Sequence, residues 1–316
     1  MILVTGASGF VGGALVRRLI ANRGCNGVVA AVRRKAESPP EGIRQVQMGE
    51  LLPATDWGQA LQDVNVVVHC AARVHVMLDD VTDPLQAYRE VNVNGTLNLA
   101  RQAAQTGVGR FVFVSSIKVN GEATQHGYPF TADDVPAPLD PYGMSKLEAE
   151  HGLREIESQT GMELVVVRPP LVYGPGVKAN FASMMRWVAR SMPLPVGAIH
   201  NARSLVALDN LVDLLVTCLN HPAAAGQTFL VSDGEDVSTT ELLRRTAQAM
   251  GKKALLLPVP ASVLELCASL LGKRAVAQRL CGSLQVDIEK TCRILGWKPP
   301  LTLDQGLRKA VEGIQQ

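Results

Sequence analysis

The amino-acid sequence predicts an α/β protein built on a doubly wound parallel sheet, followed by a smaller C-terminal α/β region. Short apolar β-rich runs alternate with helical patterns from the first residues onward, and this alternation requires a parallel sheet covered by helices on both faces. A glycine-rich turn joins the first strand to the first helix. With 316 residues, 47% of them apolar, the chain can bury roughly three quarters of its unfolded surface.

The alternation of strands and helices continues as far as Arg168. The predicted strands are Ile2 to Thr5, Val28 to Val32, Asn65 to Cys70, Arg110 to Ser115 and Glu163 to Arg168. The predicted helices are Phe10 to about Asn22, Leu85 to Gln105 and Pro141 to about Ser158. The first helix carries an apolar stripe that can pack on the sheet, formed by Val11, Ala14, Leu15 and Leu19.

The composition changes after Arg168 and indicates a second region. The next residues are rich in proline and glycine, and later elements are shorter, such as a predicted strand at Thr228 to Val231. A helix is predicted from Asp209, as its cap, to Leu219. Its expected buried stripe is Leu211, Leu214, Leu215 and Cys218. We therefore expect residues 171–316 to form a smaller region that makes short returns to the region of residues 1–170.

Charge and cysteine usage limit the partners and the compartment. Lys and Arg number 31 against 29 Asp and Glu, and this balance gives no reason to expect nucleic acid or a membrane surface as partner. The six scattered cysteines are typical of reduced thiols, so a cytoplasmic protein is expected. No apolar run favours membrane insertion. The histidines lack metal-ligand spacing, so no metal site is expected.

The turn after the first strand has the composition of a dinucleotide-binding turn. Gly6, Gly9 and Gly12 are spaced GxxGxxG at the start of a helix, where glycine permits a tight turn and lets a pyrophosphate approach the helix N-terminus. Such a pattern alone also fits an ordinary strand-to-helix turn. Its place at the start of a doubly wound pattern favours a Rossmann-type nucleotide site.

The residues after the second strand favour NADP(H) over NAD(H). A carboxylate at this position binds the ribose diol of NAD, whereas arginine accommodates the 2′-phosphate of NADP. Arg33 and Arg34 follow the strand directly, and no acid occurs before Glu37. A solvated basic turn is the alternative, and NAD(H) stays possible. We expect residues 1–170 to bind NADP(H) and residues 171–316 mainly to bind substrate.

Tyr142 and Lys146 are candidates for acid/base catalysis. They lie four residues apart near the start of a predicted helix and therefore share one of its faces. An ammonium near a phenol stabilises the phenolate and is expected to lower its pKa toward the range of a catalyst. Such a pair also occurs on helix surfaces without any chemistry. Ser116, at the end of the preceding strand, can reach the same substrate oxygen, so the three residues predict a catalytic set.

Several motifs together make the chain resemble the extended short-chain dehydrogenase/reductase family, of the NAD-dependent epimerase/dehydratase type, over essentially its whole length. These motifs are the three glycines, His69 to Ala72, Asn92 to Thr96, Val114 to Ser116, Tyr142 with Lys146, and Arg168-Pro169 followed by Val172 to Pro175. Within the family it is most similar to bacterial nucleotide-sugar enzymes. The segments Ser115 to Glu122 and Gly282 to Asp287 carry this narrower likeness.

The resemblance implies a role for each matching residue. Tyr142 donates a proton to a carbonyl oxygen that Ser116 holds, while Lys146 tunes the tyrosine and grips the nicotinamide ribose. Asn92 orders the neighbouring strand and helix, and Pro169 abuts the nicotinamide. The full set expected at the cofactor is Gly6, Gly9, Phe10, Val11, Gly12, Arg33, Arg34, Glu50, Leu51, Ala71, Ala72, Asn92, Tyr142, Lys146, Pro169 and Val172.

The substrate contacts implied by the resemblance are less complete. The residues expected to bind substrate are Ser116, Lys118, Tyr142, Asn180, Arg203 and Ser283. Asn180 and Arg203 match positions that bind the diphosphate of the sugar nucleotide, and arginine suits phosphate. Leu171 and Ser283 depart from the asparagine and the acid found in many epimerases of the family. Lys118 is unusual two residues past the serine, and either a substrate contact or a solvated lysine explains it.

Three functions remain open on the sequence. The first is an NADPH-dependent reductase of the C4 carbonyl of a UDP-linked 6-deoxy-4-keto amino sugar, in the synthesis of O-antigen precursors. The second is an NAD-dependent UDP-hexose 4-epimerase, which Leu171 and the missing acid after the second strand disfavour. The third is a dinucleotide-binding sensor without catalysis. Family resemblance further implies a homodimer.

Overall fold

The centre of the fold is a seven-stranded sheet in which every strand pair is parallel. It belongs to a computed structural model that describes residues 1–23, 27–34, 43–74, 83–177, 179–272 and 274–313, without the side chains of residues 23, 179, 180 and 275. The strand order is β3-β2-β1-β4-β5-β6-β9. The strands are β1 (Ile2–Thr5), β2 (Val28–Val32), β3 (Arg44–Gln47), β4 (Val66–His69), β5 (Arg110–Val114), β6 (Glu163–Arg168) and β9 (Thr228–Leu230).

Twelve described helices and a small second sheet surround this core. The helices are α1 (Phe10–Arg23), α2 (Gly58–Leu61), α3 (Pro84–Tyr88), α4 (Thr96–Gln105), α5 (Pro141–Thr160), α6 (Ala179–Ala189), α7 (Leu208–Asn220), α8 (Thr239–Ala249), α9 (Ala261–Leu270), α10 (Arg274–Cys281), α11 (Glu289–Leu295) and α12 (Leu303–Glu312). The second sheet contains β7 (Leu171–Tyr173), β8 (Arg203–Ala207) and β10 (Asp236–Val237), in the order β10-β8-β7.

Helices cover both faces of the large sheet, as its apolar strands require. On one face α1 and α7 bury side chains such as Leu15 and Leu211, and on the other α4 and α5 bury Leu99 and Leu153. Neighbouring strand residues alternate between these two cores. The Rossmann-type doubly wound sheet predicted from the sequence is therefore confirmed. No helix in the described ranges is both long and apolar enough to cross a membrane.

The C-terminal half contributes to both sheets. β7 and β8 pair with each other in the small sheet, where Tyr173 and Leu205 belong to a separate apolar core with α8 and α12. The strand predicted at Thr228 to Val231 is β9, which pairs with β6 at the edge of the large sheet. The chain thus returns to the first sheet after building the second.

Two helices differ from the sequence prediction. Helix α7 begins at Leu208 with Ala207 as its N-cap, so the prediction that Asp209 caps it is wrong. Asp209 lies in the first turn, where the helix dipole favours its charge, and it pairs with Lys309. The predicted buried stripe of α7 is confirmed.

The helix predicted at Leu85 to Gln105 is interrupted in its middle. Between α3 and α4 the residues Arg89–Gly95 form a π-helical segment. At its end, a Cβ on Gly95 would lie 2.7 Å from the carbonyl oxygen of Leu51, so only glycine permits this approach. Apolar periodicity does not detect a π-helical turn, because the residues on either side remain helical.

A buried polar cluster joins β5, β6 and α5. Arg168 donates to both carboxylate oxygens of Glu150, at 3.0 Å from Nε and 2.5 Å from Nη2. Ser115 donates to the same carboxylate at 2.5 Å, and Arg168 also donates to Asn120 at 3.0 Å. Since the Arg168 and Glu150 side chains are each only 6% exposed, neither charge can be satisfied by water in place of its partner.

We expect Glu150→Gln to destabilise the protein by about 3–5 kcal/mol, because it leaves the Arg168 charge buried without its counter-ion. Urea unfolding followed by circular dichroism measures this loss. The matched control is Glu148→Gln on the same helix, whose ion pair with Arg89 is much more exposed. The control should lose far less stability. Equal losses in the two variants would contradict the role assigned to burial.

Candidate active site

Most residues expected at the cofactor and at the reacting group follow the carboxyl ends of the strands in the large sheet. Because all seven strands are parallel, these ends lie at one edge of the sheet. The segments at this edge are Gly6 to Gly12 after β1, Arg33-Arg34 after β2, Glu50-Leu51 after β3, Ala71-Ala72 after β4, Ser116 after β5 and Pro169 after β6. Ligands of open α/β sheets bind at this edge, where the strand order reverses beside β1.

The glycine turn has no space for side chains. Gly6 has a φ of +64°, and a Cβ there would lie 2.9 Å from the backbone nitrogen of Ala71. A Cβ on Gly12 would lie 2.3 Å from the carbonyl oxygen of Gly6, and the N–H of Gly9 donates to that oxygen at 2.8 Å. The turn therefore presents bare backbone at the N-terminus of α1. These features fit the pyrophosphate of a dinucleotide.

Arg33 and Arg34 are both exposed directly after β2, next to the strand that carries the glycine turn. Their donor groups are thus accessible to a phosphate in solution. Glu50 is also exposed at the end of the neighbouring strand segment. The residues of this edge fit a dinucleotide in charge and in the space that the glycines leave.

Asn92 connects the segment after β4 to the helix that carries the tyrosine. It is buried, and its side chain exchanges two hydrogen bonds with the backbone of Arg73, at 2.8 and 3.0 Å. Its amide also donates to Ser145 at 3.1 Å, and Ser145 donates to the carbonyl of Tyr142 at 2.8 Å. Asn92 therefore orders both the strand end and the first turn of α5.

The segment that contains Ser116 packs against the start of α5. Ser116 caps a short 3₁₀ turn, Ile117–Val119, by accepting from the N–H of Lys118. A Cβ on Gly143 would lie 2.7 Å from the carbonyl oxygen of Lys118, so the two backbones are in close contact. The N–H of Ile117 donates to Pro169 at 3.0 Å. Ser116, Pro169 and the helix turn containing Tyr142 are thereby brought together.

Lys146 lies one helical turn beyond Tyr142 and is buried. Its amine donates to the carbonyl of Val114 at 2.9 Å and sits 4.4 Å from the centre of the Phe113 ring. Burial lowers the pKa of Lys146 to about 8, although the charge of Glu150 acts in the opposite direction. A lysine with this pKa exchanges its proton just above neutral pH.

The expectation that Lys146 lowers the pKa of Tyr142 is not met in the protein without a bound nucleotide. Burial raises the pKa of the Tyr142 phenol above its ordinary value, and the nearby Asp140 and Tyr88 raise it further. The amine of Lys146 is directed to Val114 and Phe113 instead. Desolvation of the phenolate is the largest cause of the raised pKa, and the phenol stays protonated.

His69 has a structural environment. The ring is fully buried, with Nδ1 2.7 Å from the Thr5 hydroxyl and Nε2 2.9 Å from the Thr96 hydroxyl. Burial and, to a smaller extent, the charge of Lys146 lower its pKa to about 3. A neutral imidazole with both nitrogens engaged ties β1 to β4 and α4, in line with a histidine that has no catalytic part.

Lys118 forms ion pairs within the protein. Its amine pairs with Asp140 and lies 3.2 Å from Glu122. Asp140 also caps α5 by accepting from the N–H of Gly143 at 2.7 Å. Burial alone would raise the pKa of Asp140, but hydrogen bonds from Lys118 and Gly143 outweigh it and lower the pKa. Lys118 thus links the serine segment to the cap of the tyrosine helix.

The residues expected at the sugar nucleotide lie in the C-terminal region. Arg203, at the start of β8, donates to the carbonyls of Arg279 and Gly282 at 2.8 and 3.1 Å. The Ser283 hydroxyl accepts from the N–H of Ala202 at 3.1 Å, so both residues lie at the same strand start. The side chain of Asn180 lies outside the described part of the chain. Val172, expected at the cofactor, pairs with Val206 in the small sheet.

Sequence reasoning missed several residues that hold this site. Glu150, which binds Ser115 and Arg168, is one helical turn past Lys146 on the same face of α5. Thr5 and Thr96 bind His69 from two other elements. The spacing of Tyr142, Lys146 and Glu150 was a usable signal for the first of these. No local pattern signalled the threonines.

The comparisons with known proteins define the family. Residues 2–232 match the model of the NAD dependent epimerase/dehydratase family, and the chain belongs to this family. It is 50% identical to a UDP-glucose 4-epimerase of Vibrio cholerae, over 100% of this chain and 95% of the relative. It is 28% identical to a GDP-6-deoxy-D-mannose reductase of Pseudomonas aeruginosa, over 97% of this chain and 94% of the relative.

Solved structures show the same fold. UDP-glucuronic acid 4-epimerase from Bacillus cereus in complex with NAD superposes with a TM-score of 0.78 at 22% identity, covering 100% of this chain and 98% of that one. RMD from Pseudomonas aeruginosa, complexed with NADPH, superposes with a TM-score of 0.75 at 23% identity, covering 100% of both chains. The chain is an enzyme of the NAD dependent epimerase/dehydratase family, and it shares its fold with these two structures.

The lowered pKa of Lys146 predicts a pH-dependent stability. The pKa of Lys146 is about 8 in the folded protein and 10.5 in the unfolded chain. At pH values between these two, the unfolded chain binds a proton that the folded protein lacks. Lys146 therefore destabilises the folded protein less as the pH rises. Lys146→Met removes this term. Relative to the wild type, the variant should therefore lose about 2–3 kcal/mol of stability between pH 7 and roughly pH 10.

Chemical unfolding of the nucleotide-free wild type and variant across this range measures the difference. Comparing the two proteins at each pH cancels the titration of all other groups. A difference that stays constant with pH would show that burial does not perturb the Lys146 amine.

Proposed function

We propose that the chain is an NADPH-dependent reductase of the C4 carbonyl of a UDP-linked 6-deoxy-4-keto amino sugar. The chain resembles UDP-N-acetylquinovosamine dehydrogenase, and it would act in the synthesis of bacterial O-antigen precursors. The observation that carries the proposal is the close packing of the Ser116 segment on the first turn of α5, with a protonated Tyr142 and a buried Lys146 on that helix.

The proposed reaction requires a proton donor beside a carbonyl oxygen. Tyr142 donates its phenolic proton to that oxygen, and the Ser116 hydroxyl donates a hydrogen bond to it. The raised pKa of Tyr142 keeps the phenol protonated, as a donor must be before the reaction. After the transfer, the Lys146 ammonium stabilises the tyrosinate until a proton from solvent restores the phenol.

The cofactor is proposed to occupy the edge of the large sheet. NADPH supplies a hydride to the carbonyl carbon when it is bound. The backbone of the glycine turn, with Phe10 and Val11, holds the pyrophosphate, and Arg33 and Arg34 hold the 2′-phosphate. The remaining cofactor contacts proposed from the family pattern are Glu50, Leu51, Ala71, Ala72, Asn92, Lys146, Pro169 and Val172.

The sugar nucleotide is proposed to bind between the edge of the large sheet and the start of β8. Arg203 is apt for the diphosphate because a guanidinium group offers several planar N–H donors to phosphate oxygens. Ser283 lies at the same strand start, and Lys118 and Asn180 complete the proposed substrate contacts. In this assignment residues 1–170 hold the nucleotide and residues 171–316 mainly hold the substrate, in a homodimer.

An NAD-dependent UDP-hexose 4-epimerase is the second candidate. The 50% identity to the UDP-glucose 4-epimerase of Vibrio cholerae favours it. Such an enzyme oxidises C4 and then returns the hydride, so it keeps its nucleotide bound and needs no external reductant. The missing acid after β2 disfavours it, since Arg33 and Arg34 stand where NAD-specific folds carry a carboxylate.

Two measurements separate the candidates. The reductase consumes one NADPH for each UDP-4-keto sugar converted, which the loss of reduced-nicotinamide absorbance records. The epimerase converts UDP-glucose or UDP-N-acetylglucosamine to the C4 epimer without consuming reductant, and the denatured protein releases NAD⁺. The reductase proposal would be overturned if the protein formed the C4 epimer and oxidised no NADPH when given a UDP-4-keto sugar.

We expect Tyr142→Phe to lower the turnover number by about 10²–10⁴-fold with little change in KM, because only the proton donor is lost. Steady-state NADPH oxidation with the UDP-4-keto sugar measures it. Tyr128→Phe, at a ring that is 74% exposed, serves as control and should retain the wild-type rate. Full activity of the Tyr142 variant would exclude Tyr142 as the proton donor.

We expect Arg33→Ser to lower kcat/KM for NADPH by about 10–100-fold while that for NADH stays within a few-fold, since one charge-assisted phosphate contact is lost. The same substitution at Arg34 should act in the same direction. Arg101→Ser, at an exposed position on α4, is the control. A parallel loss with NADPH and NADH would exclude a 2′-phosphate contact at these arginines.

A further inference from the structure

Helices α9 and α10 expose an unusual amount of apolar surface. We define the α9–α10 surface as its exposed apolar side chains, namely Val263, Leu266, Leu270, Leu271, Val276 and Leu280. Leu266 is 62% exposed and Leu270 is 80% exposed. No residue of α9 is buried, although this ten-residue helix consists mostly of apolar residues. Contiguous apolar surface of this kind marks a contact with a partner or a membrane.

The exposed side of α9 carries apolar residues in addition to those that contact the protein, beside the exposed polar residues Ser262, Glu265 and Ser269. Val263, Leu266 and Leu270 follow the spacing of one helix face. The opposite side contacts the body of the protein through Leu264, which packs on the apolar cluster around Ile199. A helix that packs normally on its own domain carries polar residues on its outer face. The outer apolar face of α9 is thus unexplained by the internal packing.

The chain segment that contains this surface is strongly positive in sequence. Residues 252–281 contain Lys252, Lys253, Lys273, Arg274 and Arg279 against Glu265 alone, a net charge of +4. The whole chain has a net charge of +2, which leaves −2 for the rest. The near balance of the whole chain therefore conceals a basic segment. Of these residues Lys252, Lys253, Arg274 and Arg279 are exposed.

The C-terminal end of α10 is fixed to the region of the proposed sugar-nucleotide site. Asn201 donates to the carbonyls of Leu280 and Gly282, at 3.2 and 2.8 Å, and Arg203 donates to that of Arg279. Thr239 also donates to Leu280 at 2.7 Å. The C-terminal end of this pair of helices is therefore held against the small sheet.

We propose that the α9–α10 surface docks the enzyme on an anionic phospholipid membrane. The apolar side chains enter the headgroup region, and the surrounding lysines and arginines contact lipid phosphates. Helix α9 has ten residues and is about 15 Å long, half of the hydrocarbon thickness, so it lies on the membrane and does not span it.

The positive charge favours an anionic membrane over a second copy of the chain as the partner of this surface. Two copies that met through this surface would bring two segments of +4 together, and like charges at an interface cost free energy. An anionic lipid surface satisfies the apolar and the basic components at once. Nucleic acid would satisfy only the basic component.

Sedimentation with vesicles tests the proposal. The full chain should bind vesicles of phosphatidylglycerol and phosphatidylcholine at low ionic strength, and should bind pure phosphatidylcholine much less. The double variant Leu266→Gln/Leu270→Gln should bind the anionic vesicles about tenfold more weakly or worse. Lys252→Glu/Lys253→Glu should weaken the same binding and its dependence on salt.

The matched control is Val135→Gln/Leu139→Gln, which removes two equally exposed apolar side chains elsewhere, at 87% and 70% exposure. This control should bind vesicles as the wild type does. Thermal unfolding and NADPH oxidation of the Leu266/Leu270 variant should be unchanged, which separates docking from folding and from the proposed reaction.

Three outcomes would overturn the proposal. The wild type fails to bind anionic vesicles, or the Leu266/Leu270 variant binds them as well as the wild type, or the control loses binding to the same extent. Light scattering in lipid-free buffer measures the oligomeric state and tests whether the surface is a subunit interface. If the Leu266/Leu270 substitutions convert a dimer to monomers, the surface is a subunit interface and the membrane assignment fails.

Discussion

The geometry of the candidate site depends on the hydrogen bonds that the buried carboxylate of Glu150 accepts. It accepts from Ser115 at the end of β5 and from Arg168 at the end of β6, and it lies on the helix that carries Tyr142. Since an unpaired charge in this layer is costly, the three elements keep one spacing. Ser116 follows Ser115 directly, so its position relative to the tyrosine helix is fixed by the buried carboxylate of Glu150.

Burial shifts the pKa values of Lys146 and Tyr142 on that helix in opposite directions. It favours the neutral amine of Lys146 and the neutral phenol of Tyr142, because a charge of either sign is poorly solvated there. The phenol is therefore a proton donor before any ligand arrives, and the amine is close to its titration point. The same environment keeps His69 neutral and restricts it to joining elements.

The sequence predicts most of the central fold and part of the site. Strand and helix periodicity gives the parallel sheet, and parallel strands require that residues after their carboxyl ends share one edge. Periodicity does not give the π-helical turn before α4, the N-cap of α7, or the pKa of Tyr142. These depend on contacts from distant segments, such as Leu51 against Gly95, and on desolvation by the assembled fold.

The edge strand β9 comes from residues 228–230, and α7 covers one face of the large sheet from residues 208–220. During synthesis the first six strands therefore leave the ribosome well before the elements that shield them. Until then the part of that face that α7 covers beside α1 stays open to water, and the nascent chain depends on slow long-range closure or on chaperones. A protein shortened to its first 170 residues would keep that open face permanently and should aggregate.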